Sequence, residues 1–134
     1  MNALLKRFKR YNEHKQITVF HSPINLKELM EQSIIAISSA GSTLYELCAC
    51  ATPAISFSCA DNQQPIAEYF AEKRIIPYVG DIRTERDTVI KQIVEQIYNL
   101  YSDKMLLSNL ITKMRAICDG KGAERVAEIL VNEG

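Results

Sequence analysis

Residues 37–53 read ISSAGSTLYELCACATP. An apolar, β-branched run enters a turn at Ala40-Gly41-Ser42-Thr43, and Leu44, Leu47, Cys48 and Ala51 then recur at helical spacing until Pro53 stops the helix. A second apolar run, 54–58, follows at once. The pattern predicts a strand, a tight turn, a helix and another strand. Upstream, 17–20 reads as a short strand, His21-Ser22-Pro23 as a turn, Leu26, Leu29 and Met30 as one helical face, and 34–38 as a strand of the kind buried in a parallel sheet. Ahead of these, Leu4, Leu5, Phe8 and Tyr11 recur at helical spacing through a basic segment.

Downstream, 61–65 is expected to be a polar loop, Ile66, Tyr69 and Phe70 a short helix, and 75–79 a fourth strand. Pro77 cannot donate to a ladder, which puts that strand at a sheet edge. The rest reads as helices. Ile90, Ile93, Val94, Ile97 and Tyr101 line one, Leu107, Leu110, Ile111 and Met114 a second, and Val126, Ile129 and Leu130 a last one beyond Gly120 and Gly122. Helices alternating with short apolar strands specify an α/β fold with a mainly parallel sheet.

At 134 residues the chain has the length of a single domain. Sixteen basic residues balance sixteen acidic ones, so no electrostatic footprint for nucleic acid is present. No apolar stretch approaches the roughly 20 residues of a membrane span, and the amino terminus lacks the apolar centre of a signal peptide. A cytoplasmic location is the default expectation. The four cysteines have no metal-ligand spacing and read as reduced, mostly buried small residues.

In an open parallel sheet the ligand crevice lies beyond the carboxyl ends of the strands. There, Gly41 allows close backbone approach, Ser42 and Thr43 offer hydroxyls, and the free amides of the next helix favour an anion. The same turn also reads as plain strand-to-helix geometry. Glu46 shares this ambiguity: Thr43-Leu44-Tyr45-Glu46 fits a capping box, whereas its functional reading is a carboxylate on the two ribose hydroxyls. Asp61-Asn62-Gln63-Gln64 suits sugar hydroxyls, since amides both donate and accept, or is a solvated loop. His14 and His21 carry no catalytic motif, and no nucleophile with a nearby base is visible.

Taken together, AISSAGSTLYELCACATPAISFSCADNQ (36–63) and the closing DGKGAERVAEIL (119–130) resemble the carboxyl-terminal half of nucleotide-sugar enzymes with the GT-B fold. The likeness is strongest to the pseudaminic acid pathway UDP-sugar hydrolase and spore coat polysaccharide biosynthesis proteins. A more distant likeness is to the N-acetylglucosaminyltransferase that makes lipid II. The resemblance implies a Rossmann-like three-layer α/β/α domain that is the GT-B carboxyl-terminal half. It implies that Ala40, Gly41, Ser42 and Thr43 hold a diphosphate, that Glu46 binds the ribose, that Asp61, Asn62 and Gln63 face the sugar, and that Pro23, Ile24 and Asn25 lie near the uracil. No metal or other cofactor is implied beyond the UDP-sugar substrate. One departure is a single glycine at Gly41 where many relatives have two.

Relatives also carry an amino-terminal Rossmann domain, which in the hydrolases supplies the catalytic histidine, and two more strands before the point matching Asn2. The chain therefore reads as lacking its first strands. A rearranged contact or an exposed gap between the strands at 17–20 and 34–38 is expected. The leading expectation is the UDP-sugar-binding half of an enzyme that cleaves or transfers the sugar at the anomeric carbon–diphosphate bond in surface glycan synthesis, inactive in isolation. The alternative is a non-catalytic nucleotide-binding subunit that completes a glycosyltransferase with a separate chain.

Overall fold

A computed structural model describes residues 17–133. The helix expected over Leu4, Leu5, Phe8 and Tyr11, together with His14, lies outside the described residues. The order is α1 (Leu26–Gln32), β1 (Ala36–Ser39), α2 (Thr43–Ala49), β2 (Ala54–Ser58), a 3-10 turn (Asp61–Gln63), α3 (Gln64–Glu72), β3 (Tyr78–Asp81), α4 (Arg86–Ser102), α5 (Lys104–Ile117) and α6 (Gly122–Asn132). The three strands pair in parallel in the order β1-β2-β3. The architecture is the α/β one with a parallel sheet that the alternating pattern demands, and it is Rossmann-like, as the resemblance implied.

Central β2 is buried along nearly all its length, as a strand covered on both faces must be. Alternate residues feed two cores. Ala54 joins Leu44, Leu47, Cys48, Phe70, Ile76 and Met114 on one side, and Ile55 joins Val79, Val89, Leu100 and Leu110 on the other. Phe70 is fully buried, with Tyr45 and Tyr69 edge-on to its ring at 5.1 and 5.3 Å. The buried hydroxyls of β2 have acceptors or partners: Ser56 Oγ donates to the Pro77 carbonyl at 3.2 Å, and Ser58 Oγ lies 2.8 Å from the Tyr78 hydroxyl.

Several expected boundaries move. Residues 17–20 form no strand, and Ile17 and Phe20 are exposed. β1 starts at Ala36 rather than at 34, where the Ala36 amide first reaches the Pro53 carbonyl at 2.8 Å. The strand expected over 75–79 begins only at Tyr78, because the amides of Ile75 and Ile76 turn back to the Phe70 carbonyl and close α3. Pro77 accordingly precedes β3, which is the edge strand expected. The polar loop expected over 61–65 is instead a 3-10 turn running into α3, with Pro65 in its first helical turn. Of the residues expected to share one face of α4, Ile93 and Ile97 pack inward while Ile90, Val94 and Tyr101 are exposed.

β1 is the other edge, and among the described residues nothing pairs with its outer side. Ile34 and Ile37 are exposed beside it. Among the described residues the sheet shows the expected exposed gap at this edge, with no strand at 17–20.

Candidate functional site

The carboxyl ends of β1, β2 and β3 each open into a turn, and the candidate residues lie on these turns. After β1, the Ala40 amide donates to the Phe57 carbonyl at 2.8 Å and its side chain is fully buried, so Ala40 anchors the turn to the core. Gly41 comes next, half-buried, and its backbone is not in the left-handed region. A Cβ built on Gly41 would meet nothing within 4 Å. Neither backbone strain nor packing inside the chain therefore requires glycine here. The space beside it is open to whatever approaches from solvent.

Ser42 is the N-cap of α2, but its side chain makes no capping bond. The capping box expected from Thr43 to Glu46 does not form: Thr43 is already helical, which leaves Glu46 one position too far along to reach back. The Leu44 and Tyr45 amides bond to the carbonyls of Gly41 and Ser42, at 3.1 and 3.0 Å, whereas no turn carbonyl takes the amides of Gly41, Ser42 or Thr43 among the described residues. The exposed Glu46 carboxylate has no hydrogen bond or ion pair in the described structure. It lines a groove of about 440 Å³ with Lys27, Met30 and Glu31 of α1, Ala49 and Cys50 at the end of α2, and Asp119-Gly120 before α6. Lys27 and Glu31 pair across one turn of α1 at 3.6 Å.

The 23–25 loop leads into this same α1. Ile24 is fully exposed, Pro23 is exposed, and Asn25 is the N-cap of α1, its Oδ1 accepting from the Glu28 amide at 3.2 Å. No hydrogen bond joins Pro23, Ile24 or Asn25 to the Gly41 turn among the described residues; their link to it is the groove wall shared by Lys27 and Glu46. His21 is exposed in the preceding bend.

After β2, the 3-10 turn is held from inside. Gln63 Oε1 accepts from the Cys59 amide at 2.9 Å and from its Sγ at 3.4 Å, which leaves the Gln63 Nε2 donor free. Asn62 is exposed, and the Asp61 side chain stands almost wholly in solvent. Arg83, in the turn after β3, reaches Asp61 Oδ1 at 2.6 Å and Asp81 Oδ2 at 2.6 Å through the same Nη2 atom. Arg83 thus ties the second turn to the third, and sequence reasoning missed it. Its signal was present in Gly80-Asp81-Ile82-Arg83, where a strand runs out into a turn. Gly80 has φ +111°, and a Cβ there would press on Val89 Cγ2 at 3.3 Å, so this glycine is structural. The hydrogen bond from Arg83 holds the Asp81 carboxyl below the usual carboxylate range.

The cysteines are free. Burial, then the nearby Cys118, pushes the Cys48 thiol up to about 12. Mostly buried cysteines were expected, yet Cys48 alone is buried: Cys50 and Cys118 are half-buried, and Cys59, beside the 3-10 turn, is exposed. Among the described residues no group of three His, Cys, Asp or Glu side chains is placed to hold a metal ion, and no helix is long and apolar enough to cross a membrane.

No family model matches the chain, and no solved structure does. A curated protein of Campylobacter jejuni (strain RM1221), the UDP-N-acetylglucosamine--N-acetylmuramyl-(pentapeptide) pyrophosphoryl-undecaprenol N-acetylglucosamine transferase, is 28% identical over 118 residues, a match covering 84% of this chain. The chain is similar to a glycosyltransferase. It spans 32% of that relative's length. The glycosyltransferase-like character thus runs along most of the chain and accords with its Rossmann-like sheet.

Proposed function

We propose that this chain binds the UDP of a UDP-sugar and forms the nucleotide-binding part of a GT-B-type enzyme that breaks the bond between the anomeric carbon and the diphosphate. The observation that carries the reading is Gly41: a glycine needed neither for its backbone angle nor for packing, at the mouth of a parallel sheet, next to three uncommitted amides. A phosphate oxygen approaches a bare backbone there and takes those N–H groups, with the Ser42 and Thr43 hydroxyls alongside. The free carboxylate of Glu46 accepts from the ribose hydroxyls. The groove beside it is walled by Lys27 of α1, the helix that follows the 23–25 loop, and would take the uracil. Asn62 and the free Nε2 of Gln63 face the sugar, and Arg83 fixes the Asp61 turn.

Mechanistically the chain's part is electrostatic and positional. As the anomeric carbon–oxygen bond breaks, negative charge grows on the departing diphosphate, and fixed amides already aimed at it stabilise that charge without reorganising. The likeness to a transferase supports a sugar acceptor on the partner domain or subunit that supplies the other wall of the cleft. The Asp61-Asn62-Gln63 turn, with its resemblance to the pseudaminic acid pathway hydrolase, favours as a second reading that water is the acceptor.

The test is a titration of the chain with UDP, followed by amide chemical shifts, with CMP and inorganic phosphate as controls. Shifts at 41–43, Glu46 and Lys27 that UDP produces and CMP does not are the expected result. A folded sample with no such shifts at millimolar UDP refutes the reading.

A further inference from the structure

Regular alternation along β3 would turn Asp81 to the wrong side of the sheet. Val79 packs into the Ile55 core, and in an unbroken strand Asp81, two residues on, would share that face. The register instead slips: Tyr78 lies opposite Ser56, yet Asp81 lies opposite Ser58, so three steps along β3 match two along β2. Gly80, with φ +111°, is where the backbone can take the extra step. Beyond it Ile82 packs against the Ile55 core again, which leaves Asp81 on the opposite side. That is the side of Ala67 and Phe70 of α3, and hence of the Asp61–Gln63 turn leading into α3.

The slip delivers an anchor for Arg83. Asp81 Oδ1 accepts from the Arg83 amide at 2.9 Å and from its Nε at 3.0 Å, while Oδ2 accepts from Nη2 at 2.6 Å. A guanidinium gripped in this forked way has little freedom left. The same Nη2 then donates to Asp61 Oδ1 at 2.6 Å. Asp61 Oδ2 and Arg83 Nη1 make no hydrogen bond among the described residues. Asp61 stands almost wholly in solvent, where an ion pair adds little to folding. A bulged strand, a glycine and a forked clamp thus converge on one carboxylate that the core does not need.

We infer that Asp81 and Arg83 are positioning residues that hold Asp61 so that its free Oδ2 accepts from a hydroxyl of the sugar in a bound UDP-sugar. The inference rests on the UDP-binding reading above. Holding the carboxylate in advance spares the ligand the cost of ordering an exposed side chain. Pairing with Arg83 also offsets the charge that Asp61 would otherwise present to a diphosphate on a neighbouring turn. The substrate class follows from the charges. Two carboxylates and one guanidinium leave one net negative charge, which suits a neutral sugar with hydroxyl donors and disfavours a sugar acid.

The experiment is titration calorimetry of the full chain with UDP, UDP-glucose, its 2-acetamido analogue and UDP-glucuronic acid. The quantity read is the sugar gain, the Kd for UDP divided by that for the tighter of the two neutral UDP-sugars, a ratio in which effects on the diphosphate cancel. A gain of about tenfold is expected in the parent, about that of one hydrogen bond to a charged group. Asp61→Ala and Arg83→Gln should each remove most of it, and Asp81→Asn, which leaves both groups in place but loosens the anchor, should remove part. Because Arg83 acts through Asp61, Asp61→Ala/Arg83→Gln should lose no more than Asp61→Ala alone. A gain unchanged in Arg83→Gln overturns the inference, as does a parent without any gain. Losses that multiply in the double variant also overturn it, since Arg83 would then touch the sugar itself through Nη1. So does UDP-glucuronic acid binding as tightly as UDP-glucose. In all these cases the parent still binds UDP and the reading beneath stands; a folded parent that does not bind UDP removes both.

Discussion

Replacing Gly41 with alanine separates a ligand-binding glycine from a structural one, because the two roles predict opposite signs of stability change. The position has no left-handed backbone and no atom within 4 Å of the added Cβ. Alanine therefore costs nothing in the folded state, while it restricts the unfolded chain and stabilises by about 0.4–1 kcal/mol. For a domain of this size that raises the melting temperature by about 1–5 °C. The same methyl occupies the space through which a phosphate oxygen reaches the amides of 41–43. Losing one charge-assisted hydrogen bond of about 1.5–3 kcal/mol weakens UDP by about ten- to a hundredfold. Urea or thermal unfolding supplies the first number and the amide-shift titration the second. A variant that is destabilised shows that the turn needs glycine for its own geometry. One with undiminished UDP affinity shows that nothing approaches it. Either result refutes the reasoning, and Gly41→Val should enlarge the loss of affinity.

Other consequences follow from neighbouring residues. Glu46→Gln and Glu46→Ala should leave unfolding free energy within about 0.5 kcal/mol of the parent, since the carboxylate caps nothing, yet both should weaken UDP relative to inorganic phosphate; a stability loss typical of a broken cap would contradict the free carboxylate. Arg83→Gln removes the bonds to Asp61 and Asp81. Because Arg83 lowers the folded-state pKa of Asp81, its contribution is fully present above the unfolded value of about 3.9 and disappears as pH falls through the folded one. Parent and variant unfolding curves should thus differ at neutral pH and converge in strong acid; a gap unchanged across that window would mean the pair is not what Arg83 supplies. With thiol reagents at pH 8, Cys59 should react first and Cys48 only on unfolding, as mass spectrometry of the labelled peptides would show, because burial holds the Cys48 thiol protonated up to about 12.

The alternation of helix and strand was legible because burial enforces it: 54–58 is an unbroken apolar-to-small run and is the strand that both sheet faces cover. Strand ends were less so, since they depend on partners elsewhere. Nothing in 17–20 tells that it stays out of the sheet, and nothing in Ile75-Ile76 tells that their amides return to Phe70. Gly41 was legible as a candidate, while the ground for preferring a ligand over a turn came only from the open space around it. The capping box failed through a one-residue shift of the helix start, finer than pattern reading resolves. Arg83 was missed because its meaning lies in Asp61, which only the side-by-side arrangement of β2 and β3 brings within 2.6 Å. The last helix was legible from the spacing of Val126, Ile129 and Leu130, while the exposure of that stripe was not, for spacing says which side is apolar but not what lies opposite.

In this sheet every strand lies beside the strand that follows it in sequence, Ala36 against Ala54 and Ser56 against Tyr78. The turns that make up the candidate site therefore belong to one uninterrupted stretch of chain, closed by pairings between successive strands. During synthesis from the amino terminus that stretch leaves the ribosome before α4 and α5, whose residues cover the Ile55 face of β2. The parts that shape the site and the parts that seal its sheet from water are thus made at different times. A nascent chain ending just after β3 would already hold its turns in order while exposing half its core.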